Sequence, residues 1–352
     1  MDFSLTEDRR MLSDSLTRFL ADKYPIDHRT KVAYDAPFHD VALWSEMAEL
    51  GVLYALAPED AGGFGGAGFD VTTVFEALGR GLCPEPVLGA LMASKLLAAA
   101  GADQAALLDG TRRYAVAIGE LDAPYDLDGI ATTAEDGKLS GRKSVVYGGN
   151  DADVFLVATR SGATLAVYEV AATDAQVTGY GLIDGGGAAE LFLDATPGTL
   201  LLDDARGALT DALDAGRLAL CAEAVGAMDA TNAILLDYLR TRKQFGVAIG
   251  KFQALQHRAV DVVTEIEQAR SITILAASRM GEADQSRTVS MAKTLVGRAA
   301  RLVAEEAIQM HGGIAMTWEA AVSHYAKRLV MIDAQLGDVD YHLEQVMAGY
   351  AA

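Results

Sequence analysis

Residues 238–257 read YLRTRKQFGVAIGKFQALQH, a basic, glycine-containing connection between two long segments in which apolar residues recur at helical spacing. The two segments that it joins run roughly over 208–240 and 250–280. Two more segments with the same spacing follow, roughly over 284–311 and 317–347. Apolar residues at this spacing predict amphipathic helices. Long helices joined by short connections pack as an antiparallel bundle. The sequence therefore predicts a C-terminal four-helix bundle over residues 207–352.

The pattern changes upstream of this bundle. Runs rich in Val, Ala, Tyr and Leu, such as YAVAIGEL at 114–121 and VFLVATR at 154–160, predict strands. Turn signals at Gly137-Lys138 and at Ser161-Gly162 lie between such runs and predict hairpins. We therefore expect a barrel-like β domain over residues 113–206.

Residues 1–112 have the spacing of helices. Ser4 and Glu7 form a capping box at the start of one amphipathic helix, and Asp40 is the expected N-cap of another. The predicted fold class is thus α+β and multidomain, with a helical N-terminal domain, a middle β domain and the C-terminal bundle. The sequence lacks βαβ alternation, which argues against a Rossmann or TIM-barrel enzyme.

The charge and the cysteines restrict the classes of function. The 352 residues include 29 Lys+Arg and 49 Asp+Glu, so the formal net charge is −20. This excess of negative charge argues against a nucleic-acid partner and against an anionic membrane surface. Cys83 and Cys221 lie far apart in apolar surroundings, so neither a disulfide framework nor a CxxC zinc site is expected. An apolar leader or membrane span is also not apparent, and we expect a cytoplasmic protein without membrane insertion.

The histidines do not indicate a metal site. They show neither HExxH nor another paired spacing, and the chain has no GxSxG elbow, so zinc-enzyme and serine-hydrolase functions lose their usual support. Each histidine is interpreted as a surface or capping residue. His311 precedes a glycine pair and could instead face a ligand.

Positive charge is concentrated in the first connection of the bundle, at Arg240, Arg242 and Lys243. Phe245 offers a ring for stacking, and Gly246 permits close approach of the backbone. This combination suits an anionic, aromatic ligand such as a nucleotide. It equally suits a basic helix C-terminus that complements the helix dipole and is followed by a glycine stop. The residues alone leave both interpretations open.

A second segment, IQMHGGIAMT at 308–317, ends the third bundle helix with two glycines. Gln309 is interpreted either as an amide that hydrogen-bonds to a nucleotide or as an exposed helical residue. As with the basic connection, the residues alone do not decide between a ligand contact and a helix end.

Together these segments resemble the acyl-CoA dehydrogenase family. Its N-terminal segments are matched by FSLTEDRRMLSDSLTRFL, ELGVLYALAPEDAGGFGG and VFEALGRGLCPEP, and its two bundle signatures by RKQFG with FQALQHRAVD and by QMHGG. The resemblance covers almost the whole chain in the predicted domain order. It is nearest to small subunits of the pimeloyl-CoA dehydrogenase type, and it implies a flavoprotein whose cofactor is FAD.

The resemblance also implies how FAD is held. Residues of the two bundle signatures would contact the adenine and pyrophosphate of a neighbouring subunit's FAD: Arg242, Phe245, Gly246, Gln309, Gly312 and Gly313. In AIGEL, Ile118 and Gly119 correspond to the backbone against the flavin ring, and in KSVVYGG, Val145 belongs to the strand behind it. Because a neighbour completes such a site, the resemblance implies a homo-oligomer, either dimer or tetramer, or a heteromer with a large subunit.

The usual catalytic base is missing from both family positions. Leu336 stands where a glutamate usually precedes a glycine, and the alternative position before Arg217 holds Gly216. A base removes the α-proton while the β-hydrogen leaves as hydride, and it is worth about 10² to 10⁴ in rate. The nearest carboxylate to the expected position is Asp338, and Glu223 is a weaker candidate for the base. Both also have ordinary interpretations, as a turn acid and as a helix-surface residue.

Two further departures lie in the β domain. The usual TEP…GSD stretch is replaced by Gly119-Glu120-Leu121 and Pro124-Tyr125-Asp126, and Val145 stands where a Trp is usual. These departures affect the segments that the resemblance places at the flavin and the substrate.

Three functions are therefore expected as alternatives. The leading one is FAD-dependent α,β-dehydrogenation of an acyl-CoA thioester, by this chain or by an enzyme of which it is a subunit, with electrons passed to an electron-transfer flavoprotein. The second is a catalytically silent small subunit that stabilises a large one, which the missing base favours. The third is a flavoprotein of the same fold with different chemistry.

Overall fold

The computed structural model describes residues 5–162 and 164–351. The N-terminal helices are α1 (Glu7–Lys23), α2 (Ile26–Tyr34), α3 (Val41–Glu49), α4 (Val52–Ala55), α5 (Gly68–Arg80), α6 (Val87–Ala99) and α7 (Ala105–Leu108). The strands after them are β1 (Tyr114–Ala117), β2 (Thr133–Glu135), β3 (Lys138–Tyr147), β4 (Val154–Ser161), β5 (Thr164–Ala171), β6 (Gln176–Gly181), β7 (Gly187–Pro197) and β8 (Thr199–Leu202). The C-terminal part contains α8 (Arg206–Thr241), β9 (Lys243–Gln244), β10 (Val247–Ala248), α9 (Gln253–Ser278), α10 (Gln285–His311), α11 (Ala321–Ala334) and α12 (Val339–Ala351). The predicted order of helices, strands and helices is confirmed.

Side-chain caps define the starts of two early helices. Thr6 caps α1, and its Oγ1 accepts a hydrogen bond from the amide of Arg9 at 3.4 Å. Ser4, which the sequence suggested for this cap, lies outside the described residues. Asp40 caps α3, where its Oδ1 accepts from the amide of Ala42 at 3.0 Å. A short polar side chain thus satisfies an amide that the first helical turn leaves without a partner, as predicted for Asp40.

The contacts of the chain form two compact units. Of the described residues, one unit contains 5–26, 71–83 and 217–351, and the other contains 27–70, 84–162 and 164–216. The domain boundaries predicted near residues 112 and 206 stay predictions.

The second unit contains a mixed sheet. Its strand order is β6-β7-β3-β2-β4-β5-β8, and β1 pairs in parallel with β4. The longest pairs, β3 with β7 and β4 with β5, are antiparallel. Side chains of the strands form its buried core, and they include Ala115, Leu139, Phe155, Val157 and Leu191. The apolar, β-branched and aromatic runs of the sequence therefore form the sheet that they predicted.

The first hairpin turn lies one residue earlier than the sequence predicted. Glu135 pairs with Lys138, so Asp136-Gly137 forms the loop, and both residues have positive φ, 46° and 72°. Two positive φ values fit the twist of paired strands, which explains the Asp-Gly sequence. The second predicted turn is shifted the other way and begins one residue later, because Ser161 still belongs to β4 and pairs with Thr164.

In the first unit, α10 packs against α9, α11 and α12. Elsewhere in this unit, α5 and α8 approach each other closely at two glycines. A Cβ atom added at Gly79 would lie 2.0 Å from the carbonyl oxygen of Glu223, and one added at Gly226 would lie 1.9 Å from that of Glu76. Any larger residue at either position would force the two helices apart.

The single segment predicted over 317–347 is interrupted. It forms α11 and α12, and the turn between them includes Leu336 and Gly337 with φ of 56° and 112°. These left-handed conformations end α11. The sequence pattern missed the break because apolar residues recur at helical spacing on both sides of the turn, as at Ile332, Leu336, Val339 and Leu343.

Four histidines that were expected at the surface or as caps are buried: His39, His311, His324 and His342. His39 illustrates the reason, because it lies 2.9 Å from both Glu85 and Asp151. Burial acts to lower the pKa of His39, but hydrogen bonds and attraction to these carboxylates raise it above its usual value. Imidazole is buried here because partners distant in sequence satisfy its two nitrogens.

Among the described residues, one helix, α8, is long and apolar enough to cross a membrane by length and composition. In its most apolar window, 72% of the helix is buried inside the protein, as is typical of a core helix. Within the same residues, no group of three or more His, Cys, Asp or Glu side chains is arranged to hold a metal ion.

Candidate functional site

The basic connection between α8 and α9 folds as a two-stranded hairpin. Gln244 pairs with Val247, and the loop between them consists of Phe245 and Gly246, with φ of 52° and 79°. The side chain of Phe245 is 92% exposed, and Phe252 meets its ring edge-on with centroids 6.2 Å apart. Gly246 thus lies in a hairpin turn rather than at the helix end. The hairpin presents an aromatic ring outwards.

The same region carries positive charge. Arg240, Arg242, Lys243 and Lys251 lie in this region, and all four are exposed. Within residues 5–162 and 164–351, no hydrogen bond or ion pair engages the charged groups of Arg242 and Lys243. In a chain with a net charge of −20, cations without acidic partners favour an anionic ligand.

The C-terminal end of α10 is open. Gln309 is exposed, and Gly312 has a φ of 72°. A Cβ atom added at Gly312 or at Gly313 would meet no atom within 4 Å. Bare backbone of this kind allows a ligand to approach closely.

One stacked pair joins these two segments. Tyr238 in the last turn of α8 and His311 at the end of α10 stack with ring centroids 4.4 Å apart and an angle of 27° between the rings. His311 is buried, and its Nδ1 lies 2.8 Å from the carbonyl oxygen of Ala307. His311 therefore packs into the unit, where its ring contacts Tyr238.

The turn between α11 and α12 contains the position where the resemblance places a base. Leu336 occupies it with a left-handed backbone, φ 56°. Its carbonyl oxygen accepts a hydrogen bond from Arg217 Nε at 2.9 Å and lies 3.2 Å from His342 Nε2. A left-handed conformation costs a non-glycine residue roughly 1–2 kcal/mol. Donors from two other helices offset this cost.

A fully buried lysine holds the rest of this turn. Lys293 Nζ donates to the carbonyl oxygens of Ile332 at 2.8 Å, Asp333 at 3.1 Å and Gln335 at 2.9 Å. An ammonium group has three donors, and all of them are used. The turn is thus fixed through its backbone, whatever side chain stands at position 336.

Burial lowers the pKa of Lys293 to about 8, although nearby Cys221 and Asp333 act to raise it. At pH 7 the lysine is still mostly protonated, so all three of its hydrogen bonds are available. Above about pH 8, deprotonation of Lys293 would remove one donor and leave one of the three carbonyl groups without its partner.

His342 is the neutral member of this group. Burial lowers its pKa to about 2, with the charges of Arg217 and Lys293 acting in the same direction. Since a carbonyl oxygen only accepts, the proton of the neutral ring lies on Nε2, which donates to Leu336. Nδ1 is then the acceptor, and Ser290 Oγ lies 3.2 Å from it.

Asp338, the first candidate base, forms the N-cap of α12. Its Oδ1 accepts from the amide of Tyr341 at 2.8 Å, and its carbonyl oxygen accepts from the amide of His342 at 3.0 Å. A capping carboxylate is stabilised by these bonds and by the helix dipole. The role of Asp338 as a base stays a prediction.

Glu223, the second candidate base, is buried rather than on the helix surface. Its two carboxylate oxygens accept from Arg328 Nε at 2.6 Å and Nη2 at 2.7 Å. The bidentate pair fixes both side chains and balances a charge that the interior would otherwise disfavour. The helical pattern of α8 could not reveal this, because Arg328 belongs to α11.

In the second unit, the segment predicted to contact the flavin comes directly after β1. The carbonyl oxygen of Ile118 accepts from Lys143 Nζ at 3.0 Å, and that of Gly119 accepts from the amide of Ser144 at 2.9 Å. Both donors belong to β3. Val145 comes next on this strand, with a φ of 51° and a side chain 43% exposed. The structure thus brings the three predicted residues together.

Two glutamates organise this segment, and the sequence pattern revealed neither. Glu120 lies 2.7 Å from Lys143 Nζ and accepts from Thr132 Oγ1 at 2.6 Å and from the amide of Ala131 at 2.8 Å. Burial lowers the pKa of Lys143 to about 8 against the attraction of Glu120. The sequence signal that could have revealed this buried pair is a charged residue inside each strand-like run, Glu120 in YAVAIGEL and Lys143 in KSVVYGG.

The second glutamate is Glu190 on β7. It accepts hydrogen bonds from Arg142 Nε at 3.0 Å, Ser144 Oγ at 2.8 Å, the amide of Val145 at 3.2 Å and the hydroxyl of Tyr180 at 3.1 Å. The register of β3 against β7 shifts at this point, as in a β-bulge. The Glu190 carboxylate therefore accepts from an amide that the strand ladder does not pair.

The stretch that departs from the family pattern closes a tight turn. Glu120 and Ala123 exchange two backbone hydrogen bonds of 3.1 Å each. Leu121 lies at the tip of this turn with its side chain 68% exposed. The backbone after Gly119 is therefore compact, and it presents an apolar side chain outwards.

Comparison with known proteins places this geometry in a family. The model of the acyl-CoA dehydrogenase C-terminal domain matches residues 206–350, and that of the N-terminal domain matches residues 6–106. A relative named acyl-CoA dehydrogenase IpdE2, from Mycobacterium tuberculosis (strain ATCC 25618 / H37Rv), is 30% identical over 92% of this chain and 91% of its own length. A solved steroid ACAD, the Tcur3481-Tcur3483 G363A variant, has a TM-score of 0.90 at 27% identity and covers 98% of this chain and 99% of its own.

The chain belongs to the acyl-CoA dehydrogenase family, so the resemblance seen in the sequence is confirmed. It is an FAD flavoprotein of the oxidoreductase class, and its function is acyl-CoA dehydrogenation, by itself or as a subunit. The fold agrees as well, since a chain of the ChsE4-ChsE5 complex from Mycobacterium tuberculosis has a TM-score of 0.91 at 24% identity, covering 100% of this chain and 99% of its own. The roles of individual site residues stay predictions.

Proposed function

We propose that this chain is the subunit of a heteromeric, FAD-dependent acyl-CoA dehydrogenase that lacks the base, and that a distinct large subunit supplies it. One observation carries the proposal: the turn that would hold the base is intact and clamped, yet it holds Leu336, which cannot accept a proton. The neighbouring carboxylates have other contacts, Asp338 as a helix cap and Glu223 in a buried ion pair.

The hairpin and the glycine turn fit one end of FAD. The exposed ring of Phe245 suits stacking with adenine, and the charge of Arg242, which no described side chain pairs, suits a pyrophosphate. The open backbone at Gly312 leaves room for the approach of a ligand. We assign these residues, with Gly246, Gln309 and Gly313, to the adenine and pyrophosphate end of an FAD shared with a neighbouring subunit.

Within the second unit, Ile118, Gly119 and Val145 are the residues that we place against a flavin ring. Bound FAD would supply the acceptor for the hydride that leaves the β-carbon of the acyl group. Removal of the α-proton is the step for which the expected turn, with Leu336 in it, offers no carboxylate at the family's position. The proposal assigns that step to the large subunit.

Two partners complete the proposal. A heteromer is supported by the ChsE4-ChsE5 complex, an assembly of two named components of which one chain has the fold of this protein. We further propose an electron-transfer flavoprotein as the electron acceptor, because a dehydrogenase must pass on the hydride equivalent before its next turnover.

The test is to express the chain alone and together with the candidate large subunit, and to follow bleaching of the flavin absorbance by a panel of acyl-CoA thioesters. We expect bleaching only from the complex, because a missing base reduces the rate by about 10² to 10⁴. Equal bleaching by the chain alone would place the base in this chain and contradict the proposal. Absence of flavin from both preparations would contradict it as well.

The clamped turn without a base also favours a second candidate, a silent subunit that only stabilises a large one. The two candidates differ in whether this chain touches FAD. Substitution of Arg242 should change the FAD content of the complex under the first proposal and leave it unchanged under the second.

A further inference from the structure

The two surfaces assigned to FAD are formed by segments far apart in the sequence. The hairpin comes after α8, and the glycine turn comes after α10. Tyr238 and His311 link them, with ring centroids 4.4 Å apart. A role for this link in cofactor binding rests on the proposed adenine and pyrophosphate site.

Each member of the pair is attached to one of the two surfaces. The carbonyl oxygen of Tyr238 accepts from the amide of Arg242 at 2.8 Å, and the carbonyl oxygen of Arg242 accepts from the amide of Ile249 at 2.8 Å. The hairpin is therefore bonded to the backbone of Tyr238 at its base. On the other side, His311 directly precedes Gly312, whose amide donates to the carbonyl oxygen of Ile308.

The stack also adds to the packing between α8 and α10 near their C-terminal ends. One turn earlier on each helix, Ile234 packs against the cluster that contains Ala307. The next layer pairs Tyr238 with His311, and an aromatic pair has a defined stacking geometry that aliphatic side chains lack. A shift of one ring would move the hairpin relative to the glycine turn.

The imidazole is oriented independently of the stack. His311 is buried, and its Nδ1 lies 2.8 Å from the carbonyl oxygen of Ala307, one turn back on α10. Because that oxygen only accepts, the Nδ1 carries the proton. The bond fixes the plane of the ring that meets Tyr238.

We propose that the Tyr238–His311 stack is a positioning pair, which sets the spacing between the basic hairpin and the glycine turn and thereby the affinity for the adenine and pyrophosphate end of FAD. Neither ring needs to touch the cofactor for this role. His311 is buried, and the groups assigned to the contact are Arg242, Phe245 and Gly312.

The test uses the full chain with any subunit that co-purifies, and it measures dissociation constants for FAD, ADP and FMN. H311L removes the stack and the Nδ1 hydrogen bond, and it places an apolar side chain in the space of the imidazole. We expect it to weaken FAD and ADP binding by the same factor, about fivefold to tenfold, because an aromatic pair contributes on this scale. FMN binding should not change, since FMN lacks the adenine end.

H311F keeps a ring against Tyr238, and we expect it to bind ADP within about twofold of wild type. Y238L removes the same stack from the other side, and the double variant H311L/Y238L should lose no more affinity than either single variant. If H311L does not fold, Y238L and H311F still give the comparison. A H311F protein as weak as Y238L would overturn the role of the stack.

A matched control is His324, which packs edge-on against Trp318 in the same unit with ring centroids 4.8 Å apart. H324L loses a buried histidine–aromatic contact that involves none of the assigned residues, so we expect a lower melting temperature with unchanged ADP affinity. Wild-type ADP affinity in both H311L and Y238L would overturn the inference alone. If wild-type protein bound no ADP, the proposed site would be overturned with it.

Discussion

Arg217 Nε donates to the carbonyl oxygen of Leu336 at 2.9 Å, across the turn that joins α11 to α12. The contact is made to the backbone, so it does not depend on the side chain at position 336. Lys293 and His342 likewise bind carbonyl oxygens of this turn. The arrangement keeps the geometry of a base-bearing turn in a chain that has no acid at the expected place.

This relationship predicts the effect of Leu336→Glu. The substitution places a carboxylate on a backbone that is already held, and the left-handed φ of 56° is no harder for Glu than for Leu. In the chain expressed alone and loaded with FAD, where no large subunit supplies a base, we expect faster bleaching of the flavin by acyl-CoA than in wild type, by about 10² or more. Stopped-flow absorbance measures this rate.

Leu336→Gln is the matched control, because it has nearly the same size and polarity as Glu but is a far weaker base than a carboxylate. If the Glu and Gln variants bleach at the same rate, the turn is not the site of proton removal in this chain. A lower melting temperature in both would show that the pocket rejects polar atoms at this position.

Arg242→Ala should lose FAD. A hydrogen bond to a charged group is worth about 1.5–3 kcal/mol, which corresponds to about tenfold to a hundredfold in the dissociation constant. Flavin content after desalting and a fluorescence titration with FAD measure the loss. Arg298→Ala is the control, since Arg298 is an exposed arginine on α10 in the same unit. Full retention of flavin by the Arg242 variant would contradict the assigned site.

The bundle could be predicted because helical periodicity is local, whereas its interruption could not. Leu336 sits in a run whose apolar spacing continues from α11 into α12. The break depends on Arg217 and Lys293, which come from other helices and stabilise carbonyl groups that a sequence pattern does not describe. Asp40 is the opposite case, because its capping bonds are local and were predicted correctly.

In the candidate site too, features with a local sequence signal could be predicted, and features that depend on contacts distant in sequence could not. Arg242 and Phe245 stood out because basic and aromatic residues are unusual beside a glycine in an acidic chain. His311 stood out only as a possible ligand contact, and its stack with Tyr238 was missed because the two residues are 73 positions apart, 311 minus 238. Glu190 was missed for the same reason, since its partners lie on two other strands.

Glu190→Ala should loosen the bulge in β3. The variant leaves the amide of Val145 and the hydroxyl of Ser144 without their acceptor, which costs about 0.5–1.5 kcal/mol per hydrogen bond, since water reaches both groups in part. We expect lower stability in urea unfolding and faster hydrogen exchange at the Val145 amide. The control, Arg142→Met, removes the ion pair with Glu190 but keeps these two bonds. Equal exchange at Val145 in wild type and Glu190→Ala would contradict this role.

The neutral state of His342 predicts a loss of stability in acid. Its pKa is about 2 in the folded protein against an ordinary value of 6.5, so between these pH values the unfolded chain binds more protons. Stability is therefore complete above about pH 6.5 and decreases as the pH falls, by up to about 1.4 kcal/mol per pH unit. His342→Gln keeps a donor for Leu336 and an acceptor for Ser290 without a titrating ring. Urea unfolding between about pH 4 and pH 7 should give a slope smaller by about one proton in this variant, and identical slopes would assign the acid sensitivity to other groups.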